Sequence, residues 1–361
     1  MVEKQQPTVR PLRVAVGAGL GRDREAGVAY VLEAERLGVD SVWTSEAWGA
    51  DAITPLAYLA ARTSRIRLGT GIAQAGTRTP ALLAMTAASM AALSDDRFIL
   101  GLGTSGPQVI EGWHGVPFER PVTRMKELVE ATRVAMRGER LVYSGRFYQL
   151  PRPGGEGKAL RSGAQPRDVP IYLATLSPKA LELTGELADG WLGTSFIPEH
   201  ADVFFTHIAR GAAKAGRSLQ DLDLQAGGGV AFSDDVDRLV QARKPGLAFT
   251  LGAMGSAQHN FYNDAFKRGG YDEEARYVQR LWLEGRREDA AAAVPDEMVL
   301  KSGLLGTEAM VRERIRVYRD AGITTLRVDP AGPTIAARLE TLGRVLDLVR
   351  SVSEESAPAA P

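Results

Sequence analysis

The chain has no cysteine, so it can build neither a disulfide framework nor a thiolate-ligated zinc or iron–sulfur centre. Histidine is nearly as scarce. The four present, His114, His200, His207 and His259, contain no HxH or HExxH pattern, and His200 and His207 stand two helical turns apart, which fits surface or capping roles better than a metal pair. No G-x-S-x-G elbow occurs, so nothing supports a serine hydrolase. Excess charge of one sign is also missing. The 44 basic side chains balance 44 acidic ones, which removes the long-range pull toward a phosphate backbone, and nucleic acid is not an expected partner. No stretch approaches the ~20 apolar residues of a membrane helix, and the opening MVEKQQPTVRPL lacks an apolar run of the signal-peptide kind. The expectation is a cytoplasmic protein without membrane contact.

What is abundant is core. A single compact fold of 361 residues, 44% of them hydrophobic, buries about three quarters of its unfolded surface. Short apolar runs rich in β-formers recur at 12–19, 39–45, 66–74, 97–103, 169–175, 189–196, 222–232 and 323–330. Helical patterns follow at 23–38, 52–63, 80–93, 120–137, 177–188, 198–215, in a long region after 233, and at 332–352, with Thr79–Pro80 and Ser177–Pro178 marking two starts. Strand–helix alternation forces parallel pairing through right-handed crossovers. Eight such units in one chain predict a single α/β domain with a closed (β/α)8 TIM barrel, its core spanning 12–352.

Three segments depart from the repeat. Residues 138–168 hold a hairpin pattern, LVYSGRFYQL, and then a Gly/Pro-rich excursion; 233–305 read as a helical insertion after strand seven that caps a pocket; 353–361 are too polar and proline-rich to fold alone. The helix at 81–93 carries six alanines and almost no charge, so it lies inside the fold or against a second subunit, and a homodimer is expected.

GLGTSG at 101–106 fits G-x-G-x-x-G, but Pro107 and an aromatic loop follow in place of a helix and no acidic residue ends the next strand, so a nicotinamide-binding turn is disfavoured. The strand ends instead collect aromatics and small polar groups. They carry Trp43, Ser45, Glu46 and Trp48; Thr70, Gly71 and Ile72; Thr104, Ser105, Gly106 and then Glu111, Trp113 and His114; Ala174 and Thr175; and Trp191 and Thr194. Any one Trp reads most simply as core filling. Four of them at strand ends suit a flat aromatic cofactor that brings its own reactivity.

The strings EAERLGVDSVWTSEAWGADAITPLAYLAARTSRIRLGTGI, TRTPALLAMTAASMAALSDDRFILGLGTSGPQVIEGWHG, ALELTGELADGWLGTSFIPE and AGITTLRV together resemble the bacterial luciferase-like superfamily, in particular its coenzyme F420-dependent oxidoreductases and their methylenetetrahydromethanopterin reductase branch. The resemblance spans about 13–349. It implies a non-prolyl cis peptide at Gly71–Ile72 backing the deazaflavin ring, with Trp43, Ser45, Glu46 and Thr70 nearby. It places Thr104, Ser105, Gly106 and Trp113 beside the cofactor, and Ala174, Thr175 and Thr194 along its ribityl–phosphate arm. Arg243, Lys244, Lys267 and Arg268 are candidates for the acidic tail of the coenzyme.

Departures limit what the resemblance implies. Ala47 and Pro107 stand where the sugar-phosphate dehydrogenase branch has a histidine and a glutamate, and VAVGAGLG offers no carboxylate at the end of strand one. The substrate is therefore open. The implied chemistry is hydride transfer at C5 of the deazaflavin, with Glu46, Glu111 or His114 as candidates for an accompanying proton. FMN-dependent monooxygenation is the alternative on the same fold, and a non-catalytic flavin-binding barrel is the alternative of another class.

Overall fold

A computed structural model describes residues 10–20, 23–255 and 260–355; His259, the first nine residues and the last six of the proline-rich tail lie outside them. In chain order the strands are β1 (Arg13–Gly17), β2 (Ser41–Thr44), β3 (Arg67–Thr70), β4 (Ala73–Gln74), β5 (Phe98–Gly103), β6 (Tyr143–Ser144), β7 (Gln149–Leu150), β8 (Ile171–Ala174), β9 (Gly190–Leu192), β10 (Asp223–Phe232), β11 (Leu304–Gly306) and β12 (Thr325–Pro330). The helices are α1 (Arg24–Leu37), α2 (Thr54–Ala60), α3 (Pro80–Leu93), α4 (Pro107–Ile110), α5 (Pro121–Met136), α6 (Pro178–Leu187), α7 (Asp202–Lys214), α8 (Val236–Gly252), α9 (Phe261–Arg268), α10 (Asp272–Leu283), α11 (Arg287–Ala292), α12 (Asp296–Lys301), α13 (Glu308–Asp320) and α14 (Ile335–Glu354).

Pairing runs β1–β2–β3–β5–β8–β9–β10–β12 and back to β1, always parallel, so the sheet closes into the expected eight-stranded barrel. The strands read as continuous apolar runs because both faces are covered; every residue of FILGLG in β5 is buried. Outward residues such as Leu68, Leu100, Leu173 and Leu326 pack under the helices, while Ala15, Trp43, Ile99, Tyr172 and Leu192 fill the axis. Gly69 makes room for Trp43, since a Cβ there would lie 2.4 Å from the indole.

Three features refine the reading of the sequence. Thr79 caps α3 as expected, but Ser177 stands at the cap position of α6 without a capping bond. The chain between β10 and β12 passes through α8 to α12, which share their own apolar cluster around Val240, Leu251, Phe266 and Val278. It then adds β11 along the upper end of β10, a pairing not anticipated because three residues, LLG, carry no periodicity. Helix α3 buries Leu83, Ala84, Ala87, Met90 and Ala91 on one face, while Leu82, Met85 and Leu93 on the other are 48%, 59% and 61% exposed.

Candidate active site

At the C-terminal rim, β3 ends in a bend. The Gly71–Ile72 peptide is cis, and β4 resumes pairing with β5 two residues later. Across this break the Thr70 hydroxyl substitutes for the backbone ladder, donating to the Gly101 carbonyl and accepting the Gly101 N–H, both at 2.8 Å. The Gly71 N–H donates to the Thr44 carbonyl at 2.6 Å, and the Glu46 N–H to the Ile72 carbonyl at 3.3 Å. Ile72 and Ala174 sit on top of the axial cluster.

Glu46 braces this bend. Its carboxylate takes both arms of the Arg78 guanidinium, at 2.5 and 2.9 Å, together with the N–H groups of Gln74 at 2.7 Å and Ala52 at 3.1 Å. Burial works against the charge, but Arg78 and the Gln74 N–H outweigh it and hold the carboxyl below its ordinary range. A carboxylate so held has no proton to give at neutral pH. The Gln74 amide completes the brace, donating to the Ala47 carbonyl at 3.1 Å. Arg78 and Gln74 escaped the sequence reading because their partner lies 32 and 28 residues away.

The other expected residues divide by environment. Trp43 and Trp191 are core; the Trp43 Nε1 donates to the Ser41 hydroxyl and the Trp191 Nε1 to the Thr175 carbonyl. Thr175 turns its hydroxyl away from the rim, 2.7 Å from that of Thr184 on α6. Ser45, Thr194, Glu111, Trp113 and His114 are exposed, whereas Thr104, Ser105 and Gly106 are half-buried. Glu111 accepts the Phe118 N–H at 3.0 Å. Trp48 and Trp113 are 66% and 65% exposed. Of the four strand-end tryptophans, two are therefore structural and two stand at the surface of the mouth.

A cleft of about 290 Å³ opens where strand seven changes partner. The lower third of β10 pairs with β9 and its upper third with β11, and Gly227 to Gly229 bridge the gap between them. The walls are Thr194 and Ser195 at the end of β9, Arg243 and Thr250 of α8, and Ser302 before β11. The Arg243 guanidinium lies against Gly229, 2.3 Å from where a Cβ would sit, so a side chain there would displace it. Ser195 has a left-handed backbone, φ 50°, and its hydroxyl oxygen is buried without a hydrogen-bond partner among the described residues. The four cations expected at the coenzyme's tail separate here. Lys244 pairs with Asp296 at 2.6 Å, Lys267 with Asp264 at 3.3 Å, and Arg268 donates to the Leu176 carbonyl at 2.6 Å. Arg243 alone among them has no acceptor within the described residues.

A closed parallel barrel whose C-terminal rim carries a glycine-bridged cleft belongs to the (β/α)8 class, in which the loops leaving the strand ends build the active sites. More narrowly, residues 9–325 match the model of the luciferase-like monooxygenase family, and the chain belongs to that family. A Mycobacterium tuberculosis protein named for coenzyme F420-dependent oxidoreductase activity is 39% identical over 307 residues, covering 82% of this chain and 88% of its own. The 5,10-methylenetetrahydromethanopterin reductase of Methanolobus tindarius is 31% identical over 322 residues, covering 87% and 93%. The structure of the F420-dependent tetrahydromethanopterin reductase of Methanopyrus kandleri superposes with a TM-score of 0.74 at 24% identity, over 92% of this chain and 97% of that one, a likeness of fold.

Proposed function

We propose that this protein is a coenzyme F420-dependent oxidoreductase that moves a hydride between the deazaflavin and a small organic substrate. The observation that carries the reading is the rim itself, where Ile72 and Ala174 adjoin the axial cluster and the cleft at β10, on the opposite side of the barrel from β3, offers a guanidinium and a hydroxyl that have no partner among the described residues. Those residues fit a planar ring joined to a phosphate-bearing arm. Gly71, Ile72, Trp43 and Ala174 form the apolar floor for the ring, while Thr194, Ser195 and Arg243 take the phosphate and the acidic tail. When bound, the deazaflavin supplies the hydride-exchanging carbon.

The chain's own work is positioning and exclusion of water. Glu46, Gln74 and Arg78 hold the bend in place, so Glu46 is a positioning residue. Ser45, Thr104, Ser105, Gly106 and Trp113 line the mouth, and Gln108 ties the loop after β5 to Gly255 beyond α8. A proton, where the substrate needs one, comes from His114, whose imidazole, unlike the Glu111 carboxylate, has no hydrogen bond among the described residues. The test is a titration of the purified protein with oxidised F420, FMN and NADPH. Tight binding of F420 alone is expected; preference for FMN, with oxygen uptake on its reduction, would replace this reading with a monooxygenase.

The exposed side of α3 supports a homodimer. Leu82, Met85 and Leu93 form an apolar stripe that no element covers among the described residues, and Tyr58 of the adjacent α2 is also exposed. Sedimentation at micromolar concentration should give twice the chain mass, and a monomer would rule the interface out.

A further inference from the structure

Arg327 stands on the inward face of β12, paired across the ladders with Ala15 on β1 and Gly227 on β10. Neither neighbour is large enough to cover it. The guanidinium lies over the Trp43 ring, 5.8 Å from its centroid, and one of its nitrogens is 3.6 Å from where a Cβ on Gly71 would sit. Among the described residues no carboxylate pairs with it and no acceptor meets its N–H groups; burial alone acts on its pKa, downward. The contrast with other recessed arginines is plain. Arg67 pairs with Asp40, Arg97 donates to the carbonyls of Ile66 and Thr63, and Arg314 pairs with Glu199. A cation–π contact holds a guanidinium in place without consuming its N–H donors. Arg327 is thus a planar fork of donors fixed beside the bend and committed to nothing among the described residues.

We propose that Arg327 binds the pyrimidine-dione edge of the deazaflavin, donating to the oxygen and nitrogen acceptors along that edge. This assignment rests on the coenzyme reading above. A flat O–C–N edge matches the fork in shape and in acceptor spacing, whereas a compact phosphate is already provided for by Arg243 and Ser195 in the cleft. Placement beside Gly71 puts the cation next to the floor on which the ring rests, and glycine there leaves the guanidinium without a side chain between it and the bend. The two unengaged arginines of the rim then serve the two ends of one molecule.

The experiment is a pair of fluorescence titrations, with oxidised F420 and with its bare chromophore, which lacks the phosphate and the acidic tail. Arg327→Met should weaken both ligands by a factor on the order of ten to a hundred, the range for losing charge-assisted hydrogen bonds. Arg327→Lys, which keeps the charge without the fork, should lose a smaller factor of both. Arg243→Leu should weaken F420 while leaving the bare chromophore unchanged. If wild-type protein binds F420 and either Arg327 variant binds both ligands as tightly, the assignment is overturned and the coenzyme reading stands. If wild-type protein binds neither ligand, the coenzyme reading falls and takes this assignment with it.

Discussion

The two ends of the barrel spend charge in opposite ways. At the N-terminal end, Asp223 on β10 is buried and saturated: Arg13 pairs with it at 2.7 Å, Arg67 approaches at 3.8 Å, and Thr324, Thr325, Tyr172 and Gln225 all donate to it within 2.9 Å. Burial opposes its charge, yet Arg13 and these donors prevail and depress its pKa. At the C-terminal end Arg243 and Arg327 have no such partners among the described residues, and glycines replace the side chains that would fill the space. Groups that satisfy one another hold a fold together, whereas unsatisfied groups on a rigid rim are available to a ligand. The same strands carry both ends, so the division is one of position along the barrel axis.

The comparison can be broken most forcefully at the closed end. Asp223→Ala leaves the buried donors of Thr324, Thr325, Tyr172 and Gln225 without their shared acceptor, and the loss should be about 3–5 kcal/mol, read as a large drop in melting temperature. Coenzyme affinity per folded molecule should hold. At the open end the reverse is expected for Arg243→Leu, with stability within about 0.5 kcal/mol of wild type and F420 affinity reduced about tenfold or more.

Glu46 sharpens the contrast, because it is a saturated carboxylate placed at the open end. Its folded pKa is depressed, as is that of Asp223, so their stabilisation is full above the unfolded carboxylate value of about 4 and disappears as pH falls through the folded values. Melting temperature should therefore fall on acidification below about pH 4. Glu46→Gln should flatten part of that slope and weaken F420 binding, as expected for a brace; an undiminished affinity would leave Glu46 a role in stability alone. The smallest effects belong to Trp48→Ala and Trp113→Ala, whose exposed rings should change stability by no more than about 0.5 kcal/mol. Any loss of coenzyme affinity there would identify them as walls of the mouth.

The sequence reading reached the strand ends but could not sort them. Trp43, Trp48, Trp113 and Trp191 look alike in a string, yet Trp191 is fully buried against Phe196, Phe204 and Phe205 while Trp113 faces solvent. Glu46 looked like a proton donor because its partner Arg78 lies beyond the next strand. Arg327 had one available signal, a lone charged residue on the inward phase of the otherwise uncharged stretch ITTLRV, since Leu326 and Val328 take the outward phase. Arg243 was named only as one of four basic residues in a helical region, with nothing to separate it from Lys244.

What the chain determined by itself was the barrel. Eight apolar runs with eight helical patterns admit few topologies, because each strand must be covered on both faces and each crossover is right-handed, and every expected segment contains its stave. Which polar groups neutralise one another was decided only in three dimensions. Ion pairs join residues tens of positions apart, whereas hydrophobic periodicity is written within a few residues, so a linear pattern reports burial and leaves charge pairing to the packed molecule.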